Sequence, residues 1–436
     1  MNIVIKPSKL KSDKTIQVLG HKHSFVQLVA AIIILNTKCT IHNVPKTDDT
    51  DILCKLIVKL GGKACFENNA VYLDTRFMKY KHIDEKLCNK IHGALYFIFA
   101  LAIRFHKFPV VPTGGCNIST QGVRPYNHLI DILNSFGIMK KLNKIEYSWK
   151  PCKKTKIVQN IMRFSDSVFC LTGEKVSSAT KLSILAAIGT KHSKTIIKNY
   201  YFRTDVYDLL NFAKLCGIDI KQTHNRLIIN TENKNIPDNL VYTLSDCQSE
   251  VMTFITLAIV NNIKLTILVK NLDVLQNILC SELQILQKIG VNLILGNNKI
   301  IVPKQRPLSG TNITIAHKGI QSDHQPFLAL LLSFANDKSS IKETVWRSRF
   351  AYVPELNKLG YYIKRYSNKI IIRPYKHNSL QTNINLNATD TRAAAVLCIA
   401  AIKCGTTVKI TNIEHLTRGY DGFIENLIKL GARVSK

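Results

Sequence analysis

The sequence predicts an α/β fold of six repeated units, each running strand, helix, strand, helix, strand, strand, gathered into two lobes of three units. Three observations predict it. First, an amphipathic helix ending in an apolar residue and glycine recurs six times, at Leu60-Gly61, Phe136-Gly137, Cys216-Gly217, Ile289-Gly290, Leu359-Gly360 and Leu430-Gly431, at intervals of 70 to 80 residues. Glycine just past a helix is the usual left-handed cap. Second, most of these glycines precede two short β-rich runs around a polar turn, which reads as a hairpin. Examples are Ala64-Cys65-Phe66 with Val71-Tyr72-Leu73, Leu293-Ile294-Leu295 with Ile300-Ile301-Val302, and Tyr361-Tyr362-Ile363 with Ile370-Ile371-Ile372. Third, apolar segments of helical length lie upstream in several units: Ser24 to Leu35, Leu182 to Ile188, Pro326 to Phe334 and Ala393 to Ile402. Near-equal spacing over six units argues for repeats rather than chance recurrence in one ordinary α/β domain.

A chain of 436 residues with 46% hydrophobic content has the length for two sizeable cores. It turns polar at Thr231 to Asp238, which is where the passage between lobes is expected. The twelve cysteines include no CxxC pair, which argues against a zinc ribbon or a secreted disulfide scaffold and for reduced thiols in a cytoplasm. The runs Phe25 to Leu35 and Ala94 to Phe105 are about half the length of a membrane span, and the N-terminus has no long apolar stretch of a signal peptide. A soluble protein is expected.

The net charge of +31 often signals nucleic acid or another anionic partner. Here the lysines are spread along the chain among many Asn and Ile residues, which is also what codon bias produces. The densest run, Lys140 to Lys156, includes Tyr147 and Trp149 and reads as a solvated surface segment. An anionic small-molecule substrate is the preferred reading.

No Walker loop, GxGxxG, HExxH or serine elbow is visible, and no metal or cofactor is expected. What remains is a set of charged residues and a thiol in punctuated loops: Lys22 in GHKHS, Cys116 after Gly114-Gly115, Arg124 with Pro125 and His128, Asp323 in GIQSDHQP, Arg349 in WRSRF, Asp390 and Arg392 in ATDTRAAA, and Arg418 in LTRGYD. Arginine forks suit phosphate and carboxylate. An aspartate beside a substrate hydroxyl can act as base, and a thiol of lowered pKa as acid.

These residues resemble the enolpyruvyl transferases, over nearly the whole chain. Asn43-Val44-Pro45 with Asp49 is similar to the family's NVP..D segment, and Gly114-Gly115-Cys116 with Arg124-Pro125 and His128 to its GGC…RP…H loop. Ser322-Asp323-His324-Gln325 resembles TDxQ, Arg349-Phe350 with Val353-Pro354-Glu355-Leu356 resembles RF..VPEL, Asp390-Thr391-Arg392 resembles DLR, and Arg418-Gly419-Tyr420 resembles RGYE. The GGC loop and the RGY ending are the more specific of these.

The resemblance implies two inside-out α/β barrel lobes, each of three βαβαββ units, with the N-terminal strand packed into the second lobe. The lobes are then 22–235, carrying the cysteine loop, and 1–21 plus 236–436, carrying Asp323, Arg392 and Arg418. It also implies transfer of the enolpyruvyl group of phosphoenolpyruvate to a hydroxyl of a uridine nucleotide sugar, UDP-N-acetylglucosamine, a step toward peptidoglycan, by a cytoplasmic monomer. In that scheme Cys116 protonates the methylene carbon and Asp323 is the base for the acceptor hydroxyl. Lys22, Arg124 and Arg418 hold phosphate, Arg349 and Arg392 grip the carboxylate side, and Asp390 handles protons or positions groups. His23, His128, Ser177 and Ser178 stand at positions that bind substrate.

Departures cluster on the acceptor side. The family's Lys-Asn pair is Lys22-His23, an expected arginine is His92, the loop between Cys116 and Arg124 is longer, and VSVGAT is shortened to Val176-Ser177-Ser178-Ala179-Thr180. The family's acidic signature around the next strand appears as Phe202-Arg203-Thr204-Asp205. The acceptor therefore stays open between UDP-N-acetylglucosamine and another nucleotide such as UMP. A non-catalytic basic binding protein on the same scaffold is the reading from a different class, and it predicts salt-steep binding to nucleic acid.

Overall fold

The computed structural model describes residues 1–106, 111–114, 132–133, 136, 138–140, 147–149, 156–159, 177–190, 193–198, 200–305, 307–316, 319–346, 349–375 and 383–435. Strands within it alternate between buried and outward positions, so each sheet offers one face to a core, while the longest helices are apolar nearly all round. In Gln248–Val260 every residue is buried. A helix apolar on all sides needs cover on all sides, and so helices occupy the centre and sheets the outside. Lys22–Leu35, Ala94–Phe105 and Ser177–Gly189 pack against one another in a first core, and Gln248–Val260, Gln325–Leu332 and Thr391–Cys404 do so in a second.

Five four-stranded sheets share one plan. The first strand of a unit lies parallel to the second, and the fourth lies antiparallel between the second and the third. The sheet Asn312–Ile315, Ser339–Glu343, Lys369–Arg373, Tyr362–Arg365 shows it within one continuous stretch of chain. The sheets are separate rather than one closed ring of strands. Of the six helix-ending glycines, Gly61, Gly217, Gly290, Gly360 and Gly431 have φ between 72° and 100°, and Gly137 lies outside the described residues. Each of the five donates its N–H three residues back, and the next residue donates five residues back, as in Gly431 to Ile428 (2.8 Å) and Ala432 to Leu427 (2.9 Å). The repeated glycine thus closes the same helix end in five units.

Three sheets are completed by strands from elsewhere in the chain. Asn2–Lys6 is the fourth strand of the last unit, between Val408–Thr411 and Arg433–Ser435. Lys14–Gln17 pairs in parallel with Leu265–Leu268. Leu240–Thr243, beyond the boundary that the sequence suggested at 235/236, pairs in parallel with Lys38–His42, and Leu240, Tyr242 and Leu244 are buried in the first core. Polarity at Thr231–Asp238 marks a loop ahead of this strand, and we place the return passage at residues 244–247.

The two passages run side by side. His21 N–H donates to Ser245 O and Cys247 N–H to Leu19 O, both at 2.9 Å, and Gly20 N–H donates to Asn43 O at 2.9 Å. No side chain fits at residue 20: a Cβ there meets Asn43 O at 2.1 Å and Leu244 Cβ at 2.7 Å. Among the described residues no helix is long and apolar enough to cross a membrane.

These two kinds of glycine predict different costs. Gly290→Ala, whose Cβ meets nothing nearer than Pro307 O at 4.0 Å, costs about 1–2 kcal/mol for the left-handed backbone, whereas Gly20→Ala must push two backbones apart and costs about 3 kcal/mol. Urea unfolding of both variants checks this, and equal losses would show that the passage is not tightly packed.

Candidate active site

The charged residues that the sequence singled out stand mainly at the N-terminal ends of helices or in the loops just before them. Lys22 and His23 begin Lys22–Leu35, Asp49 lies in the first turn of Asp48–Lys59, and Asp323 precedes Gln325–Leu332. Asp390 and Arg392 flank the start of Thr391–Cys404, and Ser177 and Ser178 open Ser177–Gly189. Helix N-termini carry unpaired N–H groups and a partial positive charge, so their meeting place favours anions.

Contacts between the lobes gather the first group. Lys22 Nζ lies 2.9 Å from Asp49 Oδ2 and also donates to the backbone oxygen of Arg418, whose Nε is 3.7 Å from Asp49 Oδ1. One buried carboxylate thus sits between a lysine of the first lobe and an arginine of the second. Neighbouring bonds tie the same two loops: Asp48 N–H to Thr417 O at 3.1 Å, Thr417 Oγ1 to Asp48 Oδ2 at 2.6 Å, and Lys46 N–H to Asp421 Oδ2 at 2.8 Å.

A second group surrounds Asp323. Arg349 Nη1 is 2.5 Å from Asp323 Oδ1, and Arg392 Nη2 is 3.7 Å from Oδ2. Burial pushes this carboxyl up, but the guanidinium groups of Arg349, Arg392 and Arg203 outweigh it and hold the carboxyl well below its ordinary range. Arg203 comes from the first lobe, and its Nε donates to Tyr201 Oη at 2.5 Å. The groups join through Arg392, whose guanidinium lies 5.2 Å from the Tyr420 ring, two residues past Arg418. Gly419 between them passes so close that a Cβ there meets Thr391 Cγ2 at 2.4 Å.

Cations outnumber carboxylates in this cluster. Arg349 Nε and Arg392 Nη1 are buried without a hydrogen-bond partner among the described residues, so guanidinium capacity is left for an anionic ligand. Among the described residues no group of three or more His, Cys, Asp or Glu side chains could hold a metal ion.

Not every singled-out residue takes part alike. Asp390 caps its helix, with Oδ1 accepting from Arg392 N–H (2.8 Å) and Ala393 N–H (3.1 Å). His23 is half-buried beside His21, ring centroids 5.1 Å apart, and burial together with Lys22 holds its pKa well below the usual value. The helix of Ser177 and Ser178 reaches the cluster through Lys181, which pairs with Asp205 at 2.8 Å, two residues from Arg203. Cys116, Arg124 and His128 lie outside the described residues. Burial pushes the Cys39, Cys54 and Cys216 thiols up to about 12 and those of Cys88 and Cys247 to about 11, so these five are poor thiolates at neutral pH.

Asp49 and Arg203 are central to the geometry but were not picked out as site residues from the sequence. Asp49 carried a signal in its place within the Asn43-Val44-Pro45 segment. Arg203 carried one in its place within Phe202-Arg203-Thr204-Asp205, the form that the family's acidic signature takes here.

Glu250 lies behind the cluster, in the first turn of Gln248–Val260. Burial, reinforced by Asp421, pushes its pKa up to about 8, against the opposing pull of Arg392. In the unfolded chain a glutamate loses its proton near pH 4.3. The folded state therefore holds one more proton between about pH 4.3 and about 8, and stability falls as pH rises across that window. Glu250→Gln lacks this penalty, so its thermal midpoint relative to the native chain rises progressively from pH 5 to pH 8. A constant difference would show that Glu250 does not titrate there.

The family model of EPSP synthase (3-phosphoshikimate 1-carboxyvinyltransferase) matches residues 6–427. UDP-N-acetylglucosamine 1-carboxyvinyltransferase of Pelagibacter ubique is 29% identical over 99% of this chain and 98% of that protein. The protein of the same name from the Wolbachia of Brugia malayi is 28% identical over 96% of each. Among solved structures, the enolpyruvyl transferase NikO from Streptomyces tendae superposes with a TM-score of 0.88 at 26% identity, covering 100% of this chain and 98% of that one. EPSP synthase from Acinetobacter baumannii, at 14% identity and a TM-score of 0.72 over the full length of both chains, shares the fold.

Proposed function

The chain belongs to the EPSP synthase family, and from that premise we propose that it transfers the enolpyruvyl group of phosphoenolpyruvate to the 3-hydroxyl of UDP-N-acetylglucosamine. It is an enolpyruvyl transferase, and phosphate is the second product. The observation that carries the reading is the seam where Lys22 and Arg203 of one lobe meet Arg349, Arg392, Arg418 and Asp323 of the other.

The reaction adds and then eliminates. The methylene carbon of phosphoenolpyruvate takes a proton, the acceptor oxygen bonds to the central carbon as its own proton leaves, and a tetrahedral adduct forms. Loss of a proton from the new methyl group then expels phosphate and restores the double bond. Positive charge develops at the central carbon in the first half, and negative charge on the departing phosphate in the second. Fixed cations at the seam suit that departure.

Lys22 and Arg418, with Arg124 from the family resemblance, hold the phosphate. Arg349 and Arg392 take the carboxylate. Cys116 is the acid, a role that rests on the resemblance alone. Asp323 is the base, and its surroundings explain why it needs the substrate. While three guanidinium groups hold its carboxyl, it is a weak proton acceptor. An incoming carboxylate that shares Arg349 and Arg392 loosens that hold and raises the basicity of Asp323 where the acceptor hydroxyl arrives. Asp390 keeps Arg392 in place by capping its helix. His23, Ser177 and Ser178 serve the acceptor side, and His128 binds substrate, a role that rests on the resemblance alone. Both substrates are soluble, and we place the reaction in the cytoplasm, on a single chain, as a step toward peptidoglycan.

The test is phosphate release from phosphoenolpyruvate, with UDP-N-acetylglucosamine and UMP compared as acceptors. Release that depends on UDP-N-acetylglucosamine supports the reading, release only with UMP moves the acceptor, and no release with either acceptor defeats it. Asp323→Asn lowers kcat by about 10²–10⁴-fold, and Cys116→Ser abolishes turnover or moves the pH optimum downward. A nucleic-acid binder would be indifferent to both.

A further inference from the structure

One buried network beside the seam has no part in the chemistry above. Glu282, in the helix Cys280–Lys288, and His324 both have fully buried side chains, with Glu282 Oε1 2.8 Å from His324 Nδ1. The same Oε1 accepts from Gln321 N–H at 2.8 Å, and His324 Nε2 lies 3.1 Å from Ser249 Oγ. Ser322, between them, donates to Glu343 Oε2 at 2.8 Å. Every residue from 321 to 324 except Asp323 is thus fastened to a buried acid, and Asp323 presents its carboxylate to the guanidinium groups, with Ser322 Oγ also accepting from Arg349 Nη1 at 3.3 Å. We propose that Glu282, His324 and Ser249 are positioning residues, a buried brace that fixes the Gln321–His324 loop so that Asp323 sits at its arginines. The proposal rests on the reading of Asp323 as base.

Two considerations support it. Burying an acid and its partner carries a desolvation cost that apolar packing avoids, and well-packed apolar replacements of such pairs are often no less stable. Stability is therefore a weak reason for this network, whereas fixed position is a direct result of it. The brace also ends at the passage between the lobes. Ser249 lies two residues past Cys247, and its neighbour Gln248 accepts through Oε1 from Thr204 Oγ1 of the first lobe at 2.7 Å. Gln248 Nε2 in turn donates to Gln321 Oε1 at 3.4 Å. The loop is therefore held from the passage between the lobes as well as from its own lobe.

His324→Leu fills the same space without either bond, and His324→Asn keeps a donor toward Glu282 alone. With the brace, His324→Leu lowers kcat at least tenfold and moves the acid limb of the pH–kcat/KM profile, which reports the free enzyme, upward, because Asp323 slips from Arg349, Arg392 and Arg203. His324→Asn recovers most of both. The Gln321 amide exchanges with solvent at least tenfold faster in His324→Leu than in the native chain. If His324→Leu does not fold, Ser249→Ala serves, with a smaller loss of the same kind. An unchanged acid limb together with native exchange at Gln321 overturns the brace. Should the native chain release no phosphate with either acceptor, the reading of Asp323 as base fails first, and amide exchange alone still decides whether the brace fixes the loop.

Discussion

Everything at the seam depends on the chain passing twice between two cores. A single passage would leave each lobe with its own ring of helix ends and nothing to set one against the other. Two antiparallel passages, bonded His21 to Ser245 and Cys247 to Leu19, fix the lobes in register where the helices Lys22–Leu35 and Gln248–Val260 both start. The central helices are buried nearly all round, so their polar ends are where charged side chains can gather. The passages set those ends facing one another.

The electrostatic consequence is a cluster of like charges under tension. Lys22, Arg203, Arg349, Arg392 and Arg418 repel one another, and Asp49 and Asp323 offset only part of that repulsion. Like-charged groups at such distances are tolerated where counter-charge or water is near, and an anion shared between lobes stabilises them most. The phosphate and carboxylate of a small substrate would supply the counter-charge that the seam lacks.

Much of this was legible in the sequence, for local reasons. The repeating glycines state where helices end, because only a residue free to adopt a left-handed backbone closes that turn without strain, and five of them do so. Hairpins such as Lys63–Glu67 with Ala70–Asp74 follow from period-two patterning around a polar turn. Long-range pairing was less legible. Nothing near Leu240 announces that its partner is Cys39, since the polar run just before it carries no sign of the strand it will join. Likewise a lysine at 22 gives no sign of the arginine at 418, or of the aspartate at 49 that sits between them. For Asp390 the family resemblance implied a proton-handling or positioning role, but its helix-capping bonds depend on backbone geometry. Glu282 looks like one more surface acid in an amphipathic helix until its side chain is seen fully enclosed.

The central claim is that cations from both lobes meet around one small anion. A crystal structure of the protein with phosphoenolpyruvate bound tests it most directly. The account predicts the phosphate within hydrogen-bond distance of both Lys22 and Arg418, the carboxylate on Arg349 or Arg392, and Asp323 drawn away from Arg349. Phosphoenolpyruvate held entirely within one lobe, with Lys22 and Arg418 still paired through Asp49 and out of its reach, would contradict it.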